Sequence, residues 1–411
     1  MSVILFAIPF FFLLIGLELW VDRRRQTGHY RLNDAITSLS IGVMSRMMTI
    51  VHQFIPITLY VLAFNYLAVI QLPETWVIWA LAFVAYDFFY YWKHRMGHEV
   101  SVLWAAHVVH HSSEDYNLTT ALRQTSGALF TWIFFLPLAI AGVPPVMFIT
   151  IAALNLVYQF WVHTQHIDTL GWMEKVFVTP SNHRVHHAQN ILYLDKNYGG
   201  VFIVWDRLFG TFAPELKNAR PVFGVRGALK SFNPLWANCQ VYSQLIRDSY
   251  YTKNWRDKWR VWFGRTGWRP ADVTVQFPKT KVHLDSFVKF NPLISPWASG
   301  YCLLQHIGTV ALALFLLLNL GELPTLAVIS VLISVVATSV MTGLILQGAP
   351  SALRLDMFRL MLVPLICYLG AIRPDVVLLL VGLNALSLVG LLFVIKKQES
   401  MGVTASEPGN P

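Results

Sequence analysis

Apolar residues run through this chain in long, nearly unbroken stretches instead of alternating with polar ones. About 20 such residues in a helix span the hydrocarbon of a bilayer. On that scale residues 3–20, 46–70, 76–92, 297–319, 323–345, 352–371 and 374–395 read as membrane crossings. Residues 127–141 and 145–162, hinged at Gly142, Val143, Pro144 and Pro145, are short for full crossings and read equally well as a re-entrant hairpin. A polar and aromatic stretch, 163–296, separates the two apolar halves. The pattern predicts an all-α, multi-pass transmembrane helical protein. Its regions are an N-terminal transmembrane region (1–75), a central histidine-box domain (76–296), a C-terminal four-helix transmembrane region (297–397) and a disordered tail (398–411).

Composition agrees with the pattern. Hydrophobic residues make up 55% of the 411 and charged residues 13%, with a mean hydropathy of +0.51; soluble domains carry roughly a quarter charged residues. No basic residue precedes the first apolar stretch, and Arg23, Arg24 and Arg25 follow it. A secretory signal has the opposite arrangement. The segment therefore reads as a retained crossing with its N-terminus outside and its arginines in the cytoplasm. Lys396 and Lys397 close the last stretch.

Between His163 and Gly300 there are 18 Lys and Arg against 9 Asp and Glu, an excess of nine positive charges. Such an excess suits a cytoplasmic surface against anionic lipid. Its charges are spaced among aromatic residues without a dense run, which speaks against nucleic acid as a partner. Three crossings from an outside N-terminus place residues 93–126 in the cytoplasm, and the hairpin returns the chain to that side at His163. The expected location is an integral membrane one, the inner membrane in a bacterium or the endoplasmic reticulum in a eukaryote. Cys239, Cys302 and Cys367 share no metal or redox spacing and read as unpaired packing thiols.

Ten of the fourteen histidines fall between residues 94 and 187. Nine form a pattern: His94 and His98; His107, His110 and His111; His163; and His183, His186 and His187. Residues three and four apart share a helix face, so each box would present its imidazoles in one direction as a claw for a metal. Imidazole suits iron, copper, zinc and nickel. Nine nitrogens exceed the four ligands of a single zinc and suit two metals with positions left for oxygen, a di-metal site at the cytoplasmic membrane face. Iron over zinc is inferred from the redox chemistry expected. His166, one turn from His163, stays open as a further ligand; His29, His52, His283 and His306 lack such company.

Glu99, nearest the first box, is the candidate catalytic carboxylate, placed to orient a histidine ring from behind; Glu114 and Asp115 could do the same. Asp195, Lys196, Asn197, Tyr198, Asp206 and Arg207 follow the last box and are expected to brace it. Trp92, Trp104, Trp132 and Trp161 read as an interfacial belt. Asn117 begins a glycosylation sequon that the expected topology leaves unused.

These boxes, His94-Arg-Met-Gly-His98, His107-Val-Val-His110-His111 and His183-Arg-Val-His186-His187, resemble the fatty acid hydroxylase and sterol desaturase superfamily. Their flanks, from His98 to Gln124, Tyr158 to Gln165 and Leu194 to Phe212, look more narrowly like its alkylglycerol monooxygenase branch. The resemblance implies a fatty acid hydroxylase-type domain in which two non-haem iron ions activate O2 and oxidise a lipid. The branch implies oxidation of the ether-bearing carbon of an alkylglycerol, with tetrahydrobiopterin as electron donor. Asn182 stands where that branch commonly has another histidine. Sterol or fatty acid hydroxylation or desaturation is the alternative, and a zinc hydrolase the more distant one. No haem or flavin module is visible, so the electron donor is expected to be separate and the lipid to arrive from the bilayer. A transporter would need ionisable residues within its crossings, where few occur.

Overall fold

The computed structural model describes residues 2–52, 54–127, 130–279 and 283–400; of the expected tail, residues 401–411 lie outside these. Nearly all regular structure is helical. Among the described residues no strand forms, only isolated bridges such as Phe177 with Phe202 and Ala188 with Phe223. The described residues fall into two compact units that interleave along the chain: residues 1–31, 49–229 and 238–288 form one, and 32–48, 230–237 and 289 onward the other.

The first unit holds the histidines. Its helices include α1 (Ser2–Arg25), the end of α2 (Leu32–His52), α3 (Phe54–Leu67), α4 (Trp76–Glu99), α5 (Ser101–His111), α6 (Leu118–Ala121), α7 (Leu136–Ile140), α8 (Pro145–Trp161), α9 (Pro180–His187) and α10 (Val204–Leu208). Beyond them lie α11 (Pro234–Tyr251), α12 (Trp255–Phe263) and α13 (Ala271–Gln276). Thr75 caps α4, and Val100, in extended backbone, is the single residue between α4 and α5. Pro145 and Pro180 stand at the starts of α8 and α9, where the missing N–H would have no helical partner in any case.

The apolar core of this unit joins α3, α4, α7 and α8 through Tyr60, Tyr86, Phe135, Leu138, Met147 and Ile151. The short turn from α7 to α8 passes through Gly142 at φ +92°, and a Cβ there would stand 1.7 Å from the Ile70 carbonyl. Only glycine fits such an approach. Asn117 of the sequon is buried and caps α6, accepting from Thr119 N at 3.0 Å.

In the second unit α14 (Pro296–Asn319), α15 (Thr325–Leu346), α16 (Ala352–Leu369) and α17 (Pro374–Ser400) pack in succession. Buried Ser330, Ser334 and Thr338 bond back to carbonyls of their own helix and keep α15 slim for its neighbours. Arg359 and Asp356 pair at 2.5 Å inside this unit, and Tyr301 donates to Asp356. Cys302 and Cys367 are buried as expected of packing thiols, whereas Cys239 in α11 is exposed.

Among the described residues, three helices can cross a membrane by length and composition: Pro296–Asn319, Thr325–Leu346 and Pro374–Lys397. A fourth crossing is available if Leu32–His52 and Phe54–Leu67 act together. Thr131–Ile140 and Pro145–Trp161 are shorter apolar helices, in keeping with the short hairpin read from the sequence. Exposed Phe6, Phe10, Leu13, Leu17 and Trp20 on α1, and Leu378, Leu386 and Val389 on α17, give these helices apolar outer faces.

Candidate metal centre

Four chain segments converge: the last turns of α4 (His94, His98), α5 (His107, His110, His111), the turn after α8 (His163) and α9 (His183, His186, His187). One ligand atom from each of His94, His98, His107, His111 and His186 lies within 4.8 Å of the others, and His110, His163, His183 and His187 form a second such group. His166 belongs to neither.

The boxes do not each make their own claw, as their spacing suggested. In each HxxHH the first and last histidines enter one group and the middle one crosses to the other. At 3.6 residues per turn, four residues of helix overshoot a full circle by about 40° and three fall short of it by about 60°, so the middle ring lies to the other side of the first and diverges enough to serve the neighbouring group.

Backbone carbonyls orient the rings. His94 Nδ1 lies 2.8 Å from Tyr198 O, His110 Nδ1 3.0 Å from Arg123 O, His163 Nδ1 2.8 Å from Gln159 O and His186 Nδ1 3.0 Å from Lys196 O. A carbonyl only accepts, so each Nδ1 carries the proton and each Nε2 is left with a lone pair. His110 and His163 then face each other, Nε2 to Nε2, at 3.3 Å with no proton between them. The Nε2 atoms of His98 and His186 are buried without a hydrogen-bond partner. Lone pairs aimed at one another in a dry interior repel unless a cation lies among them, and this arrangement fits metal ligation.

Burial pushes all nine imidazoles below their ordinary pKa, helped by neighbouring rings at eight of them and by the Arg123 charge at His110, which falls to about 4, while His186 falls to about 3. They are neutral at pH 7, the form that ligates a metal.

Glu99, expected to orient a ring, instead accepts from Arg95 Nε at 2.9 Å. Asp115 pairs with Arg31 at 2.8 Å. The carboxylates that matter act one step further out. Asp206 accepts from the N–H groups of Tyr198 and Gly199, which fixes the carbonyl that holds His94. Asp87 in α4 accepts from Val201 N, Phe202 N, Trp205 Nε1 and Asn155 Nδ2, pinning the segment after α9 to α4 and α8. Asp195 and Asn197 adopt φ of 58° and 57°, a conformation Asp and Asn tolerate better than most. These two twists flank Lys196 and precede Tyr198, whose carbonyls meet His186 and His94.

Arg123, 1% exposed, donates to Val109 O and Ser112 Oγ, while its own carbonyl holds His110. Trp104 lies against His98 with ring centroids 5.0 Å apart. Asn182 donates its side-chain amide to Phe177 O at 3.2 Å. Backbone partners such as the Gln159 and Arg123 carbonyls leave no mark in the sequence. The Asp-Lys-Asn-Tyr run at 195–198, with two residues suited to positive φ, is the one signal that could have located two of them.

A family model described as fatty acid hydroxylase matches residues 79–211, the segment that contains all nine histidines. Over 409 residues the chain is 35% identical to alkylglycerol monooxygenase of Danio rerio, covering 94% of this chain and 87% of that protein. The human alkylglycerol monooxygenase is 34% identical, with 90% and 83% covered. An ornithine lipid hydroxylase of Rhizobium tropici is 29% identical over 38% of this chain and 48% of its own length. No solved structure matches.

Proposed function

The chain belongs to the alkylglycerol monooxygenase family and contains a fatty acid hydroxylase domain, and from this premise we propose that it is a membrane-bound, non-haem di-iron oxygenase acting on the ether-bearing carbon of alkylglycerols. Lipid hydroxylation, the broader class, follows from membership itself. In this reading His94, His98, His107, His111 and His186 hold one iron and His110, His163, His183 and His187 the other. The observation that supports it most is the approach of His110 and His163, two lone pairs 3.3 Å apart with both Nδ1 protons committed elsewhere.

A reduced iron pair at such a site supplies O2 activation, which the side chains alone cannot. The protein's own residues do the rest. The carbonyls of Tyr198, Arg123, Gln159 and Lys196 hold His94, His110, His163 and His186 each in one tautomer. The burial of eight of the nine histidines keeps bulk water away. Hydroxylation next to the ether oxygen uses one O2, two electrons and two protons and releases one water. The hemiacetal so formed breaks its C–O bond to give a fatty aldehyde and glycerol. Tetrahydrobiopterin, as a separate donor, supplies the electrons, and the site opens on the cytoplasmic side.

The test is product analysis with purified, iron-loaded chain, tetrahydrobiopterin and an alkylglycerol. Aldehyde release that requires O2 is expected. Hydroxylated sterol or acyl chain with no aldehyde would overturn the ether-lipid assignment, and turnover undiminished without O2 would overturn the oxygenase.

A further inference from the structure

His166, the tenth of the clustered histidines, lies outside the nine-ring centre in a separate group with Asp22, near the end of α1, and His29, in the connection that follows. One ligand atom from each of the three falls within 4.8 Å of the others. The side chains of Asp22 and His166 are 7% and 10% exposed. Asp22 Oδ1 accepts from Thr27 Oγ1 at 2.6 Å and from His29 N at 2.8 Å, which fixes both the carboxylate and the turn carrying His29. His166 Nε2 is buried with no hydrogen-bond partner. Asp22 Oδ1 stands 3.7 Å from it, beyond hydrogen-bond reach. Burial, with help from Arg25, outweighs the pull of Asp22 and holds the His166 pKa below its ordinary value, leaving a neutral ring.

We infer that Asp22, His29 and His166 form a separate metal site for one divalent transition cation of the zinc class. Donor atoms around a tetrahedral cation at about 2.0–2.2 Å stand roughly 3.3–3.6 Å from one another, so the 3.7 Å pair needs only a slight inward movement, and the His29 nitrogen, within 4.8 Å of both, closes in on the same cation. Two imidazoles and a carboxylate suit zinc, cobalt or iron(II) and not magnesium or calcium. Three protein ligands leave a position for water. The site joins α1 to the segment that carries His163, alongside the bond from Thr164 Oγ1 to Glu18. A cation there locks α1 to the wall of the larger centre. The inference does not depend on the chemistry assigned to that centre.

The experiment is a Co2+ titration of the full chain, purified in detergent and stripped with chelator, read by visible absorbance and compared with His166→Gln and His29→Gln. Each variant is expected to bind one fewer equivalent per chain than the wild type, whatever the occupancy of the nine-histidine centre. Equal stoichiometry in folded variants would overturn the site. If a variant fails to fold, carbethoxylation of the wild type read by mass spectrometry decides. Co2+ is expected to protect His29 and His166 several-fold, and unchanged modification of both at saturating Co2+ would equally overturn it.

Discussion

His110 and His163 each donate Nδ1–H to a backbone carbonyl and meet through their Nε2 lone pairs at 3.3 Å. Replacing one of them removes a ligand from the four-histidine group and leaves the five-histidine group whole. His110→Ala is expected to lower bound iron by about one per chain and turnover by at least ~100-fold, since even a partner behind a ligand is worth 10–100-fold. Full activity in folded His110→Ala would show the ligand set to be misplaced. Glu99→Gln is the contrasting case. Its side chain pairs with Arg95 at a partly exposed position, where such a pair contributes ~0–1 kcal/mol. Iron content and turnover within about twofold of wild type are expected, and loss of iron would restore Glu99 to the site.

The neutral rings also set a pH dependence. In the unfolded chain histidine takes up a proton near 6.5, whereas the buried rings resist until far lower pH, His110 to about 4 and His186 to about 3. Below 6.5 the unfolded state therefore binds more protons, and stability falls as pH falls. Melting of the metal-free chain is expected to be flat above pH 7.5 and to drop progressively between 6.5 and 4. A flat profile down to pH 4 would mean the rings are hydrated.

At the scale of elements, the centre depends on how the segment after α9 is tied to α4. Asp87 collects four donors, and Gly200 lies so close that a Cβ would stand 2.8 Å from Asp87 Oδ1. Asp87→Asn turns an amide donor toward donors already present. Leaving a buried donor unsatisfied costs ~1–3 kcal/mol, so the variant should melt several degrees lower and lose iron, although Asp87 touches no histidine. Unchanged melting and iron content would show the tie to be dispensable.

The sequence makes the boxes legible because helical periodicity puts histidines three and four apart on neighbouring faces. It does not reveal which ring joins which group, since that depends on how α4, α5 and α9 cross. His186 joins the rings of α4 and α5 while His183 and His187 join His163. Nor could Glu99 be judged from its nearness to His98 along the chain; Arg95, one helical turn away, takes it.

For the whole molecule, hydropathy located the apolar helices, and α14, α15 and α17 are long enough to cross. The interleaving of residues 32–48 with the C-terminal helices was not legible, because long-range packing leaves no local pattern. Orientation is open to a direct check. Cys239 is exposed while Cys302 and Cys367 are buried, so a membrane-impermeant maleimide is expected to label Cys239 only from the cytoplasmic side of sealed vesicles. Labelling only from the opposite side would invert the topology.

The most direct measurement is iron per chain, by elemental analysis of the reconstituted protein carrying His166→Gln so that the Asp22 group contributes nothing. About two irons per chain are expected, falling to about one when His110→Ala is added. Tightly held zinc with no iron uptake, or a single metal unaffected by His110→Ala, would contradict a di-iron centre built from these nine histidines.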